Sequence, residues 1–381
     1  MIRRTATLRL AAASLLFVLA ACGSKGPKPA ELVKFKPSVQ LRVDWHANAG
    51  ESGRYIFSPA VYEDSVFAAG STGELMRLDA ATGKQIWRVN TKVPLSGGVG
   101  VGANLVLVGS SKGVVLAYDL HGKPLWQSTV SSEVLSSPQA SGEFVVVRSG
   151  DNRIFGLDAR DGSRRWEYQT ITPALTLRSN PGVAIIDNFV MAGMPAGKLV
   201  VLSITNGGVV WETVVAAPKG DNELERITDI AGPPLVEQNR VCAVTFQGRA
   251  ACYETDKGSQ LWARPASSAG RLAVDDLSVY LSEDVGSVVA LDKNTGASVW
   301  KQDKLSHRNL SSPLAFQDYV IVGDFEGQVH FLKFEDGSFA ARVATDGSGI
   351  SSAPRLLGDK VLVQTREGGL YAISIKQAKA K

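Results

Sequence analysis

Tryptophan recurs along this chain at a nearly fixed interval: Trp45, Trp87, Trp126, Trp166, Trp211, Trp262 and Trp300 are separated by 42, 39, 40, 45, 51 and 38 residues. A ten-residue lead-in precedes most of them. It is clearest in Leu78-Asp79-Ala80-Ala81-Thr82-Gly83-Lys84-Gln85-Ile86-Trp87 and Leu291-Asp292-Lys293-Asn294-Thr295-Gly296-Ala297-Ser298-Val299-Trp300. Weaker copies stay in register: Leu157-Asp158 leads to Gly162 and Trp166, Tyr253-Glu254 to Gly258 and Trp262, and Leu202-Ser203 to Gly207 and Trp211. Tyr118-Asp119 leads to Gly122 and Trp126 with one residue missing. A period near 40 is that of propeller blades. A length of 381 residues, which would otherwise suggest two domains, therefore reads as one ring.

Each unit has room for four short strands. Between Ile56 and Val89, the spans 56–61, 65–69, 74–78 and 85–89 have the alternation or apolar run of strands. Gly73 and Gly83 close the two later turns, where a left-handed residue lets a short hairpin form without strain. The 38 glycines suit a chain of many tight turns. Tryptophan on the outermost strand is a broad apolar plate for the neighbouring blade, so a blade buries its face only because another follows.

The repeat also indicates how the ring closes. After Trp300 the next tryptophan position is Ala341, following Leu332, Asp336 and Gly337, so that unit is degenerate but present. Residues 352–375 hold three strands and then the chain ends. The missing fourth is supplied by 39–45, carrying Trp45. The expected fold is all-β: an eight-bladed propeller of four-stranded blades over residues 35–376, closed by pairing the N-terminal strand with the C-terminal blade, which removes open sheet edges.

The amino terminus reads as an address. Arg3 and Arg4 precede an apolar run from Leu10 to Ala21 that is too short to span a bilayer. The ending Leu19-Ala20-Ala21-Cys22 looks like a lipoprotein cleavage site, with residues 1–21 as signal peptide and Cys22 as the lipidated residue. Two or more acyl chains hold a protein stably on a membrane. Gly23 after the cysteine, rather than Asp, implies the outer membrane under the sorting rule of enteric bacteria. Residues 22–34 then read as a flexible lipidated tether, and residues 377–381 as a basic tail. Without Arg3, Arg4 and Arg9 the chain has 38 basic and 37 acidic residues, down from a formal charge of +4. That balance, with no basic run, argues against nucleic acid as a partner.

Motifs for catalysis dissolve into turns. Gly109-Ser110-Ser111-Lys112-Gly113 fits G-x-S-x-G but falls in a hairpin rather than a strand-turn-helix. Gly98, Gly100 and Gly102 lack a surrounding βαβ unit and read as an inner strand near the propeller axis. His46, His121, His307 and His330 have no ligand spacing, so no metal is expected. The acids after each Leu are explained by turn chemistry. No catalytic residue or cofactor is assigned. Cys242 and Cys252 flank the turn Phe246-Gln247-Gly248 and should sit opposite one another if Gly248 is left-handed. A periplasmic address permits oxidation, though opposed strand positions are not ideally placed for a bridge; two buried thiols are favoured over a bridge because cysteine is often simply a small core residue.

Two connections are longer than the rest. Residues 169–179 follow Trp166 and 216–229 follow Trp211, and connections of consecutive blades are neighbours. Leu175, Leu177 and Arg178, with Arg226 and Asp229, would form an apolar patch rimmed by charge, as a protein interface does. From the residues alone, Leu175 and Leu177 could equally begin the next inner strand as core.

The lipoprotein-like start, the eight tryptophan-type repeats and the stretch Leu175-Thr176-Leu177-Arg178 together resemble the BamB family of outer-membrane protein assembly factors, over essentially the whole mature chain. The resemblance implies a quinoprotein-like propeller that is a non-enzymatic, periplasm-facing scaffold of the β-barrel assembly machinery. It implies as partners the POTRA domains of BamA, other Bam components and unfolded outer-membrane proteins. In that family a Leu-x-Leu-Arg stretch and an Asp-x-Asp stretch are implicated in docking to BamA. The first is intact here. The second is Asp229-Ile230-Ala231, with one acid replaced. The competing expectation is a quinone-dependent dehydrogenase, whose repeats are similar but whose chains are longer and often carry adjacent cysteines, absent here.

Overall fold

The structure, a computed structural model, describes residues 27–179 and 181–376. The expected signal peptide, Cys22 and the basic tail lie outside the described residues. Eight four-stranded antiparallel sheets form the ring. In chain order the blades span residues 60–90, 95–129, 139–168, 183–214, 235–266, 273–302 and 314–344. The eighth combines Arg355–Leu357, Lys360–Gln364 and Gly369–Ile375 with the N-terminal strand Leu41–Asn48. That strand pairs antiparallel with Gly369–Ile375, from Leu41 opposite Ile375 to Asn48 opposite Gly369. Closure thus occurs as the repeat implies, with the strand two residues later than expected.

Seven of the eight seams share one device. Each tryptophan Nε1 donates to a backbone carbonyl of the next blade at 2.6–3.0 Å, as Trp45 does to Ala80, Trp166 to Ile204 and Trp300 to Phe334. The indole lies on the glycine of the next blade's third hairpin. At Gly207 an added Cβ would lie 2.6 Å from the Trp166 ring, and φ is +71°. Sterics and backbone conformation both demand glycine there. The turn is held by its acid: Asp79 Oδ1 accepts from Thr82 N at 2.8 Å, and Asp292 Oδ1 from Thr295 N at 2.8 Å.

The eighth seam, between blades 7 and 8, lacks a tryptophan for a physical reason. The turn that would receive it joins a blade's third and fourth strands, but in blade 8 those strands come from opposite ends of the chain. There is no turn to dock against, and Ala341 is buried at that place. Val39 and Leu41 instead pack against the Phe331, Val361 and Ile373 core of this seam.

Residues 30–34, expected within the tether, are bonded to the ring. Ala30 N donates to Ser306 O at 2.9 Å and Ser38 N to Ala340 O at 2.9 Å. Phe35 stacks on Phe339 with centroids 5.3 Å apart. Beneath lies a buried polar cluster. Asp324 Oδ2 accepts from Arg308 Nε at 2.8 Å and lies 3.0 Å from His330 Nε2, while Arg342 Nε donates to His330 Nδ1 at 3.1 Å. An acceptor Nδ1 makes His330 neutral, its proton on Nε2. Burial holds its pKa below the ordinary 6.5 against the pull of Asp324, and Arg342 and Arg308 push the same way as burial. The unfolded chain therefore takes up the proton first on acidification. Stability is complete above pH 6.5 and declines below it, with a slope approaching about 1.4 kcal/mol per pH unit. Urea midpoints at pH 7.5 and 5.5 should differ accordingly, and His330→Gln should flatten that difference; an equal pH response in the variant contradicts the assignment.

Cys242 and Cys252 form a disulfide, correcting the expectation of two thiols. They are directly opposed in the ladder, with Cα atoms 4.0 Å apart, as in the narrow pairs of antiparallel sheets. The left-handed residue of their hairpin is Gln247 (φ +49°) rather than Gly248.

Candidate functional site

Because the four strands of each blade run outward from the axis in alternating directions, the connections between blades share a face with each blade's second hairpin. Contacts follow this rule: Gly150 N in a second hairpin bonds Glu133 O in a connection, and Phe325 N bonds Arg308 O. The long connections 169–182 and 215–234 stand on this crossover face. They touch each other, because Asp229 Oδ2 accepts from Leu177 N at 2.7 Å while its Oδ1 accepts from Ala196 N at 3.0 Å.

Asp229 is therefore not at a charged rim, as expected from sequence. It is 5% exposed, and both oxygens hold backbone, so it sets the shape of the Leu175–Arg178 stretch from beneath. Arg148, also buried, contributes a nearby positive charge. Its guanidinium donates to Gly193 O and to Asn152 Oδ1, and burial pushes its pKa down to about 10 while Asp229 opposes that shift. Ile230 and Ala231 are buried. Ile230 packs onto Gly193, where an added Cβ would come within 2.0 Å of it.

Above this base the Leu175 side is open. Leu175 is 44% exposed, Leu177 half-buried and Arg178 exposed, which favours the patch over the alternative of an inner strand, since the next strand begins only at Val183. Arg178 Nη2 lies 3.5 Å from Glu133 Oε1, on the connection between blades 2 and 3. The Glu133 carboxyl sits below its ordinary pKa, chiefly through a hydrogen bond from Ser132, with its own backbone amide and then Arg178 adding to the shift against the opposing effect of burial. Arg226 is exposed and bonded within its own loop, to Gly220 O at 3.0 Å and near Glu223 at 3.4 Å. Sequence reasoning missed Ile171, 96% exposed, and Leu224, 67% exposed, on the same two loops. Their signal was present: each is a large aliphatic stranded among polar and turn residues.

Leu177, Arg178, Glu133, Leu135 and Arg148 line a cleft of about 80 Å³. That suits a side chain rather than a small-molecule ligand, whose pockets are usually several hundred Å³. Among the described residues no cluster of His, Cys, Asp or Glu has the arrangement of a metal site, and no helix is long and apolar enough to cross a membrane.

A closed eight-bladed propeller with tryptophan-docked seams, presenting exposed aliphatic loops beside a small cleft, defines a ring-shaped protein with a loop surface of the kind proteins use to meet one another. A family model described as outer membrane protein assembly factor BamB matches residues 71–302 and 284–381. Proteins of that name from Nitrosomonas eutropha and Burkholderia pseudomallei are 43% and 40% identical, covering 97% and 95% of this chain and 95% and 96% of their own lengths. The chain belongs to the BamB family of outer membrane protein assembly factors. The crystal structure of BamB from Moraxella catarrhalis superposes with a TM-score of 0.81 at 25% identity, over 88% of this chain and all of that one. A quinohemoprotein alcohol dehydrogenase from Comamonas testosteroni, at 13% identity and TM-score 0.72 over 90% of this chain and 77% of its own, shares the fold.

Proposed function

We propose that the protein is a non-enzymatic scaffold of the β-barrel assembly machinery, lipid-anchored through Cys22 to the outer membrane and facing the periplasm. Through Leu175, Leu177 and Arg178 it holds the POTRA domains of BamA, with Asp229 shaping the loop. The observation that carries this is the pinned loop itself. Two backbone amides bound to one buried carboxylate fix a half-exposed leucine and an exposed arginine side by side, and a preformed loop loses little entropy on docking. Other Bam components and unfolded outer-membrane proteins would meet the remaining surface.

Leu175→Ala with Arg178→Ala should abolish co-purification with BamA while leaving the unfolding free energy from urea titration within about 0.5 kcal/mol of the unaltered protein, since both side chains are surface-exposed. Undiminished recovery of BamA by the folded variant overturns the proposal.

A further inference from the structure

The polar cluster on blade 7 is completed by the N-terminal segment. Arg308 is 3% exposed. Its guanidinium reaches Asp324 and Glu326, and Nη1 donates to Ala30 O at 2.9 Å. Arg342 bonds His330 through Nε and Val33 O at 3.3 Å through Nη1, and it lies over the Phe35 and Phe339 rings at 5.2 and 5.4 Å. Two cations in the wall of the ring thus take backbone oxygens of the segment as acceptors. If the segment left, each guanidinium would lose a hydrogen-bond acceptor, and Arg342 would also lose the Phe35 ring it lies over, so the contacts favour the held state.

The segment runs up the outside of blade 7. Ser38 is bonded beside the start of Phe339–Ala344, Val33 lies beside Arg342, and Ala30 meets Ser306 in the connection 303–313 between blades 6 and 7. That connection belongs to the crossover face. We propose that residues 30–38 are a clamp that fixes where the chain leaves the ring, so that the crossover face at blades 6 and 7 is the side held against the lipid surface.

Reach decides whether a clamp matters. From Cys22 to Ala30 is eight residues, about 28 Å when fully extended, whereas from Cys22 to Leu41 would be about 65 Å with the clamp open. A compact chain of this length has a radius of gyration of roughly 21 Å and so a diameter of roughly 54 Å. Unclamped, any side of the ring could turn to the membrane. Clamped, only the half of the ring centred on Ser306 can. The Leu175 loop stands on this same face, three blades round the ring. A partner docked there is therefore brought to a defined height above the bilayer. The inference rests on the proposed lipidation of Cys22.

The test uses the full lipidated protein on vesicles of phosphatidylethanolamine and phosphatidylglycerol containing a spin-labelled quenching lipid. Its single reactive thiol carries a fluorophore, at Lys304→Cys on the crossover face or at Glu335→Cys on the opposite face of the neighbouring blade. Quenching should be several-fold stronger at 304 than at 335. Arg308→Ala with Arg342→Ala should erase the contrast, and so should a flexible insert between residues 29 and 30, which leaves the clamp untouched and covers the case in which the double variant does not fold. Equal quenching at the two positions in the unaltered chain, or a contrast that survives the insert, overturns the proposal. Trypsin reports the clamp without any membrane: cleavage after Lys34 should be about tenfold faster in the double variant, and equal rates refute the clamp itself. Failure of every form to bind vesicles would instead remove the lipidation on which the orientation depends, leaving the trypsin result to judge the clamp.

Discussion

Removal of residues 27–48 is expected to leave a chain that does not fold to a cooperative ring. The strand Leu41–Asn48 brings Trp45, which is 7% exposed and bonded to Ala80 of blade 1, and it pairs along the whole of Gly369–Ile375. Losing a buried tryptophan costs about 3–5 kcal/mol. The same deletion uncovers the Leu370 and Ala372 side of the seam with blade 1 and the Val361 and Ile373 side of the seam with blade 7. Folded domains are stable by about 5–15 kcal/mol in total, so the tryptophan alone takes a large share of the margin before the uncovered seams are counted. It also leaves an unpaired edge, and the truncated protein should associate through it. Size-exclusion chromatography and urea unfolding check this. A monomer with an unaltered midpoint would show that the ring does not depend on its N-terminal strand. A peptide spanning residues 37–50, added to the truncated chain, should restore part of the transition.

How much of this was legible beforehand follows from how far apart in sequence the determining groups lie. A blade is local: Asp79, Gly83 and Trp87 sit within one turn and one strand, and their spacing repeats, so both the architecture and the closure by Trp45 can be read directly. The Leu175–Arg178 stretch stands on an unusually long connection, but its residues alone fit a surface patch and an inner strand equally, and only the family resemblance favours the patch. The missing groups are those whose meaning lies in a contact. Asp229 looks like any loop acid until Leu177 N and Ala196 N are found on its two oxygens. Glu133 has no signal connecting it to Arg178, because their loops come from different connections. The clamp joins Ala30 to Ser306 and Val33 to Arg342, and a Gly/Pro/Lys-rich stretch just before it has the composition of a free linker. For the cysteines, hairpin register put the pair face to face correctly, but register alone does not tell a bridge from two thiols.

Trp166→Ala and Ala341→Trp should both destabilise the ring, although the second adds the residue that the repeat lacks. Trp166 is 7% exposed, packs on Gly207 and donates to Ile204 O at 2.7 Å. Its loss removes the plate between blades 3 and 4, with the core of Val146, Ile154, Val190 and Leu202 left under a cavity. A cost of about 3–5 kcal/mol is expected. At Ala341 no cavity waits. The site is 2% exposed and lies opposite Phe331 on the neighbouring strand, and the blade beyond it has no third hairpin to offer a glycine platform or a carbonyl. An indole there would be overpacked and its N–H unpaired, costing about 1–3 kcal/mol. Urea unfolding of the two variants beside the unaltered protein measures both. A midpoint raised by Ala341→Trp would mean that the absent tryptophan is a chance loss from a regular repeat. A lowered one means that the break in the pattern is where the chain ends meet.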